Sequence, residues 1–371
     1  MRILYWTDSW LPSIGGIEVL GAQFVRELRG RGFEPLVVTS HCGREMPDHE
    51  EWGGVSVRRF RFQEAFQFKR LDLFARIRNS IHELKRSWQP EIVHLHFPGP
   101  SGMFHLQTLE ACVAPLLLAM HTHVPDWDAG PNTLSGKLLR LSGWVTANSG
   151  ATLRLARAAC GEIEARSSVI YNGLVAGSAP PSPLAFDPPV IACIARLVPK
   201  KGIDILLRAM PAIQTRIPNA RLLIAGDGPC RADLERLAEF LGLTPRVEFR
   251  GWIAPERVPD FLNEAAIVVV PSRTVEPFGN VAVEAMQMAR PVVASRQGGL
   301  AEVVVDGETG FLVDAPDPAQ FAERILALAD DVKLASEMGA AGRARAGKDF
   351  SLNRCVDNYV RLYRRLAGQT P

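Results

Sequence analysis

A chain of 371 residues, 47% apolar and carrying 42 basic against 40 acidic side chains, is long enough to build two globular domains with sizeable cores. Its net charge of +2 gives no grounds for a nucleic-acid partner. The longest apolar runs, such as 114–120, are too short to span a bilayer, the first residues lack the pattern of a signal peptide, and the six cysteines are scattered without a C-x-x-C. Together these predict a cytoplasmic protein with free thiols.

The first apolar run, Ile3 to Thr7, reads as a strand ending at Asp8, followed by Gly15-Gly16 and a helical pattern over Ile17 to Arg29. A strand, a glycine pair and a helix start allow backbone amides to approach a phosphate. No G-x-G-x-x-G follows, which argues against a dinucleotide fingerprint. Phe33 to Ser40 is the next strand. Residues 57–88 then hold nine basic and three acidic side chains, a local +6, interleaved with Phe60, Phe62, Phe66 and Phe68. Phe74, Ile77, Ile81, Leu84 and Trp88 recur at helical spacing. The preferred reading packs this stripe on its own sheet, and the second reading makes the phenylalanine-arginine stretch a peripheral contact with anionic membrane, at the inner face of the cell membrane.

Glu91 to Phe97 and Pro115 to Met120 read as strands, and His96, His121 and His123 stand at their C-terminal ends, where open α/β sheets bind ligands. Asp126-Trp127-Asp128 has the D-x-D form of a metal-diphosphate ligand, but such pairs arise by chance in Pro/Gly loops and no metal is expected. Trp144 to Ser149 and Ser168 to Gly173 are further strand-and-turn units. A Pro-rich stretch follows, expected to be an extended, exposed linker over 179–186 between domains at 1–178 and 187–350.

The α/β alternation then restarts. Val190 to Ala195 is a strand with Arg196 and Lys200-Lys201-Gly202 in the loop after it, and Arg221 to Gly226 and Val247 to Trp252 follow. Ala265 to Pro271 is a buried strand, Pro277 and Gly279 break it, and Asn280 to Met288 reads as a helix. The loop Glu276-Pro277-Phe278-Gly279-Asn280 therefore stands at a helix N-terminus, which favours an oxygen-rich or anionic ligand. Glu284, one turn on, suits the two hydroxyls of a ribose, and Glu276 those of a sugar. An ordinary βα turn with solvated glutamates is the competing reading. Leu352 to Leu366 is a basic amphipathic helix. The fold class expected is α/β, with two doubly wound, Rossmann-like domains facing a cleft.

Several of these motifs occur together in the order and spacing of one family. They are Gly15-Gly16, His121 after Pro-Leu-Leu-Leu-Ala-Met, Asn172-Gly173, Ala195 to Gly202, Ala225 to Pro229, the E-x7-E of Glu276 to Glu284, and Gly298 to Glu302. Over nearly its whole length the chain resembles family 4 (group 1) of the retaining glycosyltransferases, with the GT-B fold. The resemblance implies that Arg196 and Lys201 neutralise a donor diphosphate, with a Gly16 amide opposite. It places Glu284 on the ribose, Glu276 on the transferred sugar, the Phe278, Gly279 and Asn280 amides on sugar and phosphate oxygens, and the base near Gly226 and Trp252. His121 would contact the sugar near the reacting carbon, and the last helix (352–367) would complete the N-terminal domain.

The implied reaction transfers a hexose-type sugar from a UDP- or GDP-sugar to a hydroxyl of a glycan, lipid-linked or small-molecule acceptor, with retention, by front-side attack and without metal or other cofactor. Two departures stand out: Val175 replaces an acidic residue often found there, and Thr122 follows His121 where Gly or Asp is common. A nucleotide-sugar epimerase or sugar-phosphate synthase on the same fold, and a non-catalytic nucleotide-sugar-binding module, are the alternatives.

Overall fold

The computed structural model describes every residue of the chain except Ile14, Pro100, Asp126, Trp127, Ser178, Ala315, Pro316, Thr370 and Pro371. Asp126 and Trp127 of the D-x-D motif, and Ser178 at the expected domain boundary, thus lie outside the described residues. The chain divides into two compact units, Met1–Gly173 with Leu352–Pro371, and Leu174–Ser351.

The first unit runs β1 (Arg2–Thr7), α1 (Gly16–Gly30), β2 (Glu34–Ser40), β3 (His49–Trp52), β4 (Val55–Phe60), α2 (Phe62–Gln67), α3 (Leu71–Trp88), β5 (Ile92–His96), α4 (Ser101–Leu106), β6 (Leu116–Met120), α5 (Leu134–Leu141), β7 (Trp144–Ala147), α6 (Gly150–Ala159) and β8 (Ser167–Val169). The second runs β9 (Val190–Ile194), α7 (Ile203–Arg216), β10 (Arg221–Ala225), α8 (Arg231–Phe240), β11 (Val247–Gly251), α9 (Val258–Asn263), β12 (Ile267–Val270), α10 (Asn280–Gln287), β13 (Val292–Ser295), α11 (Leu300–Val303), β14 (Gly310–Val313), α12 (Pro318–Asp330) and α13 (Val332–Asp349). The last helix, α14 (Leu352–Leu366), returns to the first unit.

The eight-stranded sheet of the first unit has the order β3-β4-β2-β1-β5-β6-β7-β8 and is parallel except for the β3–β4 hairpin. Side chains alternate between its faces, so Leu4, Trp6, Val93 and Leu95 join one core and Ile3, Tyr5, Val37 and Ile92 another. On the second face α1 and α14 close the core, with Val356, Tyr359, Val360 and Tyr363 of α14 buried. The six-stranded sheet of the second unit is wholly parallel, in the order β11-β10-β9-β12-β13-β14. A parallel sheet covered on both faces needs strands apolar throughout, as in the fully buried Ile-Val-Val-Val of β12.

Two expectations change. The stretch 179–186 has no helix and leaves Pro180, Ser182 and Pro183 exposed, as a linker does, but it is not free of the second unit. Leu184 and Phe186 pack on the core of the second unit, Asn263 donates to Pro180 O at 3.1 Å, and the fully buried Arg290 donates to Ser182 O at 2.7 Å. Its apolar side chains Leu184 and Phe186 find a surface to cover.

The stripe on α3 does pack on its own sheet, with Ile77 and Ile81 buried and Phe74, Leu84 and Trp88 against them. The phenylalanine-arginine stretch does not form a continuous surface. Phe62 is buried, Phe60 and Phe66 pack on the same core, and Arg59 is 2% exposed, donating to Glu50 Oε1 at 2.6 Å and Leu11 O at 2.8 Å. What remains outside is the turn between α2 and α3, with Phe68 64% and Leu71 83% exposed around Lys69 and Arg70.

Candidate functional site

Ligands of open parallel sheets sit beyond the strand C-termini at the point where the strand order reverses. In the second unit this point lies between β9 and β12, and the loops after them carry Arg196, Lys201, Glu276 and the start of α10. Gly202, at φ +66°, lets these loops meet, since a Cβ there would come within 2.0 Å of Pro271 O. Arg273 N donates to Lys200 O at 2.9 Å across the same gap.

The contact sets Lys201 against Glu276. Nζ donates to Oε1 at 2.9 Å and to Oε2 at 2.7 Å, and Ser272 Oγ donates to Oε2 at 3.0 Å. From the Gly298-Gly299 turn, Gly299 N donates to Glu276 O at 2.7 Å and holds the loop. A diphosphate ligand for Lys201 and a sugar ligand for Glu276 were expected separately, whereas the structure pairs the two side chains with each other. Ser272, buried at the end of β12, carried no sequence signal as their third partner. Arg196 is exposed and its guanidinium has no partner among the described residues.

Gly279 caps α10 at φ +103°, and a Cβ there would lie 2.5 Å from Leu300 Cδ2. Phe278 turns its ring into the core against Phe350, leaving only its backbone for a ligand. Glu284 stands one turn into α10, half-buried, and its carboxyl meets no hydrogen-bond donor or cation among the described residues. Burial alone pushes it up to about 7. Gly226 N donates to Gly251 O at 2.7 Å, and the neighbouring Trp252 is 57% exposed.

In the first unit the order reverses between β1 and β5. Gly15 caps α1 and Gly16 opens it, exposed, with the Glu18 carboxylate folded over Gly15. His96 ends β5, and its Nε2 lies 3.0 Å from Nε2 of His121, which follows β6. Burial pushes His121 down to about 4, with Asn172 opposing the shift, and burial followed by the neighbouring histidines pushes His96 well below its ordinary value. Behind them Tyr363 of α14 lies 2.6 Å from His94 Nδ1, and Tyr359 3.2 Å from Thr146 Oγ1. His123 is exposed. Asp128 accepts from Ser135 N at 3.3 Å at the start of α5, the task of a cap. Among the described residues no group of three or more His, Cys, Asp or Glu side chains is placed to hold a metal ion, and no helix is long and apolar enough to cross a membrane.

Two doubly wound parallel units, each with polar residues gathered at its own reversal point, define a two-domain α/β protein of the GT-B type. Sucrose-phosphate synthase from Thermosynechococcus elongatus has this fold, with a TM-score of 0.83 at 23% identity over 99% of each chain. So has HepE of Anabaena, in complex with UDP and glucose, with a TM-score of 0.77 at 24% identity over 98% of this chain and 99% of that one. The model described as Glycosyltransferase Family 4 matches residues 14–176, and that described as Glycosyl transferases group 1 matches 179–345. The chain therefore belongs to the group 1, family 4, glycosyltransferases. A GDP-mannose-dependent alpha-(1-6)-phosphatidylinositol monomannoside mannosyltransferase from Mycolicibacterium smegmatis is 40% identical over 163 residues, which are 42% of this chain and 43% of that protein. The chain thus spans less than half the length of the curated relatives it first matches.

Proposed function

We propose that this protein moves a hexose-type sugar from a nucleoside-diphosphate sugar to an acceptor hydroxyl, with retention of configuration and without a metal ion. The observation that carries the reading is the loop set at the β9/β12 reversal point, where Lys201, Glu276 and Glu284 surround the start of α10. A diphosphate arriving there competes with Glu276 for Lys201. The ammonium moves to the phosphate oxygens beside Arg196, and Glu276 is released to accept bonds from sugar hydroxyls. Glu284, ionised, accepts bonds from both ribose hydroxyls. Phosphate and sugar oxygens face the amides at the start of α10, and the base lies near Gly226 and Trp252.

The acceptor oxygen attacks the anomeric carbon on the face from which the diphosphate departs, and a departing phosphate oxygen takes the acceptor's proton. In this scheme Arg196 and Lys201 stabilise the charge that develops on the leaving group, usually a large part of catalysis. The two cations and the helix-terminal amides perform the work that a divalent metal performs elsewhere.

The donor is a UDP- or GDP-sugar, a range that spans the complexed UDP of the Anabaena protein and the GDP-mannose of the mycobacterial relative. The acceptor is a glycan, a small molecule or a lipid-linked sugar. For the last, the exposed Phe68-Lys69-Arg70-Leu71 turn replaces the longer 57–88 segment as the contact with anionic membrane.

The test is a panel of nucleotide sugars with candidate acceptors, read by nucleotide release and by the anomeric coupling of the product, with EDTA present in a parallel series. Acceptor-dependent release giving the donor's anomer, unaffected by EDTA, is expected. Nucleotide binding with no acceptor-dependent product in any pairing would leave a binding module, and an inverted anomer or loss with EDTA would overturn the mechanism.

A further inference from the structure

The basic stretch 57–88 contributes Arg58 and Trp88 to a cavity of about 380 Å³ in the first unit, away from the residues of the proposed transfer site. Its volume is in the range of small-molecule sites, about 300–1,000 Å³. The cavity lies at the N-terminal ends of β2 and β4, where Glu34 opens β2 and Ser56 and Arg58 follow the start of β4. The register of the sheet separates it from the reversal point. Glu34 pairs with Arg2 and His96 with Thr7, further along the same strand, so about 16 Å of β1 lies between the two levels.

Alternation along the strands builds the floor. Val55 and Val57 join the core under α1, which turns Ser56 and Arg58 to the other face of the sheet, beside Leu36. The C-terminal end of α3 adds Leu84 and Trp88, and Phe33 ahead of β2 adds a second ring. At the sheet edge the Gly53-Gly54 turn closes the β3–β4 hairpin. A Cβ on Gly54, at φ +77°, would lie 2.6 Å from Arg29 Cζ, so glycine makes room for that guanidinium. Arg29 Nη1 reaches Gly53 O at only 3.4 Å, which leaves its donors largely uncommitted.

The chemistry of the lining selects among ligands. Two cations, Arg29 and Arg58, and two carboxylates, Glu34 and Glu51, line the cavity, and among the described residues none of the four forms an ion pair. The Arg58 guanidinium makes no hydrogen bond to any described residue. Its Nε is closed off from water without an acceptor, so the hydrogen bonding of this half-buried side chain falls to its terminal nitrogens. An anion drawn by the guanidiniums meets two carboxylates, and a cation meets the reverse. A neutral molecule rich in hydroxyls avoids both conflicts, since a hydroxyl can donate to a carboxylate and accept from a guanidinium. The planar fork of Arg58 matches two adjacent hydroxyl oxygens. Trp88 and Phe33 supply apolar surface with electron-rich faces for the C–H groups of such a ring.

We infer that this cavity is a second carbohydrate site, which binds one hexose ring or the terminal unit of a glycan apart from the transfer site. Its use in holding a glycan acceptor on the protein rests on the function proposed above, whereas the binding of the sugar does not.

The experiment labels the protein with ¹⁵N-tryptophan and titrates it, without nucleotide, with methyl α-mannopyranoside, methyl α-glucopyranoside and an α-linked mannotriose. The indole signal of Trp88 is assigned from Trp88→Phe. A saturable shift of this signal with at least one of the sugars is expected, and saturating UDP or GDP should leave it in place. Arg58→Met keeps the apolar stem and removes the fork, so affinity for that sugar should fall at least about tenfold. Ser87→Phe, at an exposed position of α3, fills the cavity and should have the same effect, which keeps the inference testable if Arg58→Met fails to fold.

No shift of Trp88 with any of the sugars at high millimolar concentration, or a shift that both variants retain, would overturn the inference. A Trp88 shift with inorganic phosphate or glycine in place of the sugars would do so too, and would mark a site for anions or zwitterions. Sugar binding lost in Lys201→Met and kept in Arg58→Met would assign it to the transfer site instead. Sugar bound at Trp88 in a protein that transfers none would refute the proposed function and leave the second site intact.

Discussion

Replacing Glu284 by Gln tests the donor site without any substrate. The carboxyl is half-buried in the first turns of α10 with no donor or cation against it, and its value rises from 4.5 to about 7. Between these values the folded state holds a proton that the unfolded state has released, so stability falls as pH rises through the window. The shift corresponds to about 3 kcal/mol in full, of which about 2.5 kcal/mol accrues between pH 5 and pH 8. Gln has the same shape and no charge to desolvate. Glu284→Gln should therefore match wild type closely near pH 5 and exceed it by about 2.5 kcal/mol near pH 8, a shift of about 5 to 10 °C in the melting of a unit of this size. Differential scanning calorimetry of both proteins across that range, read as the difference between them, cancels every other titrating group. In the proposed donor site the ionised form accepts the two ribose hydroxyls, so donor affinity in the wild type should rise with pH up to about 7 and then level off. In Glu284→Gln it should be weak and flat. A stability difference that stays constant from pH 5 to pH 8 would refute the account of an uncompensated carboxylate.

Three further outcomes follow from the same geometry. Lys201→Met leaves Glu276 without its cation and should cost about 1 to 3 kcal/mol in unfolding experiments, while Lys201→Met with Glu276→Gln recovers much of that stability. Neither should transfer sugar at more than about a hundredth of the wild-type kcat, and an unchanged kcat would remove Lys201 from the chemistry. Gly279→Ala puts a Cβ at a left-handed residue and against Leu300, so urea melts should show a loss of about 2 to 4 kcal/mol; a neutral effect would mean that the α10 start relaxes freely. Phe68→Ser with Lys69→Glu and Arg70→Glu should lower partition onto anionic vesicles about a hundredfold with the same melting temperature. Absence of wild-type binding to those vesicles would end the membrane proposal.

The buried strands announced themselves. Runs such as Ile267 to Val270 and Leu116 to Met120 are apolar at every position, as strands covered on both faces must be, and the glycines and prolines after them mark where the chain turns. Because ligand loops follow strand ends, the positions of Arg196, Lys201, Glu276 and His121 after strands, and of Glu284 in the helix that follows, were legible from local order, whereas the roles expected of them came from the family resemblance. Short or weakly patterned elements were not legible. The β3–β4 hairpin, whose outer strand alternates between half-buried and exposed, and the helices α12 and α13 carry their signals only once the sheets they cover exist.

Partnership was decided by the tertiary structure alone. Lys201 and Glu276 stand 75 positions apart and His96 and His121 25 apart, and no spacing rule links either pair. Arg59 reads as a surface charge in a basic stretch until β3 and the loop after β1 bury it on Glu50. The sequence by itself determined the order of strands and loops, and hence which residues lie at strand ends, since that depends on apolar patterning and turn chemistry along the chain. Which of those residues touch and which carboxylate is left without a cation depend on distances between loops from different strands. Those distances are set by the strand order of each sheet and by the packing of α1, α10 and α14 against it.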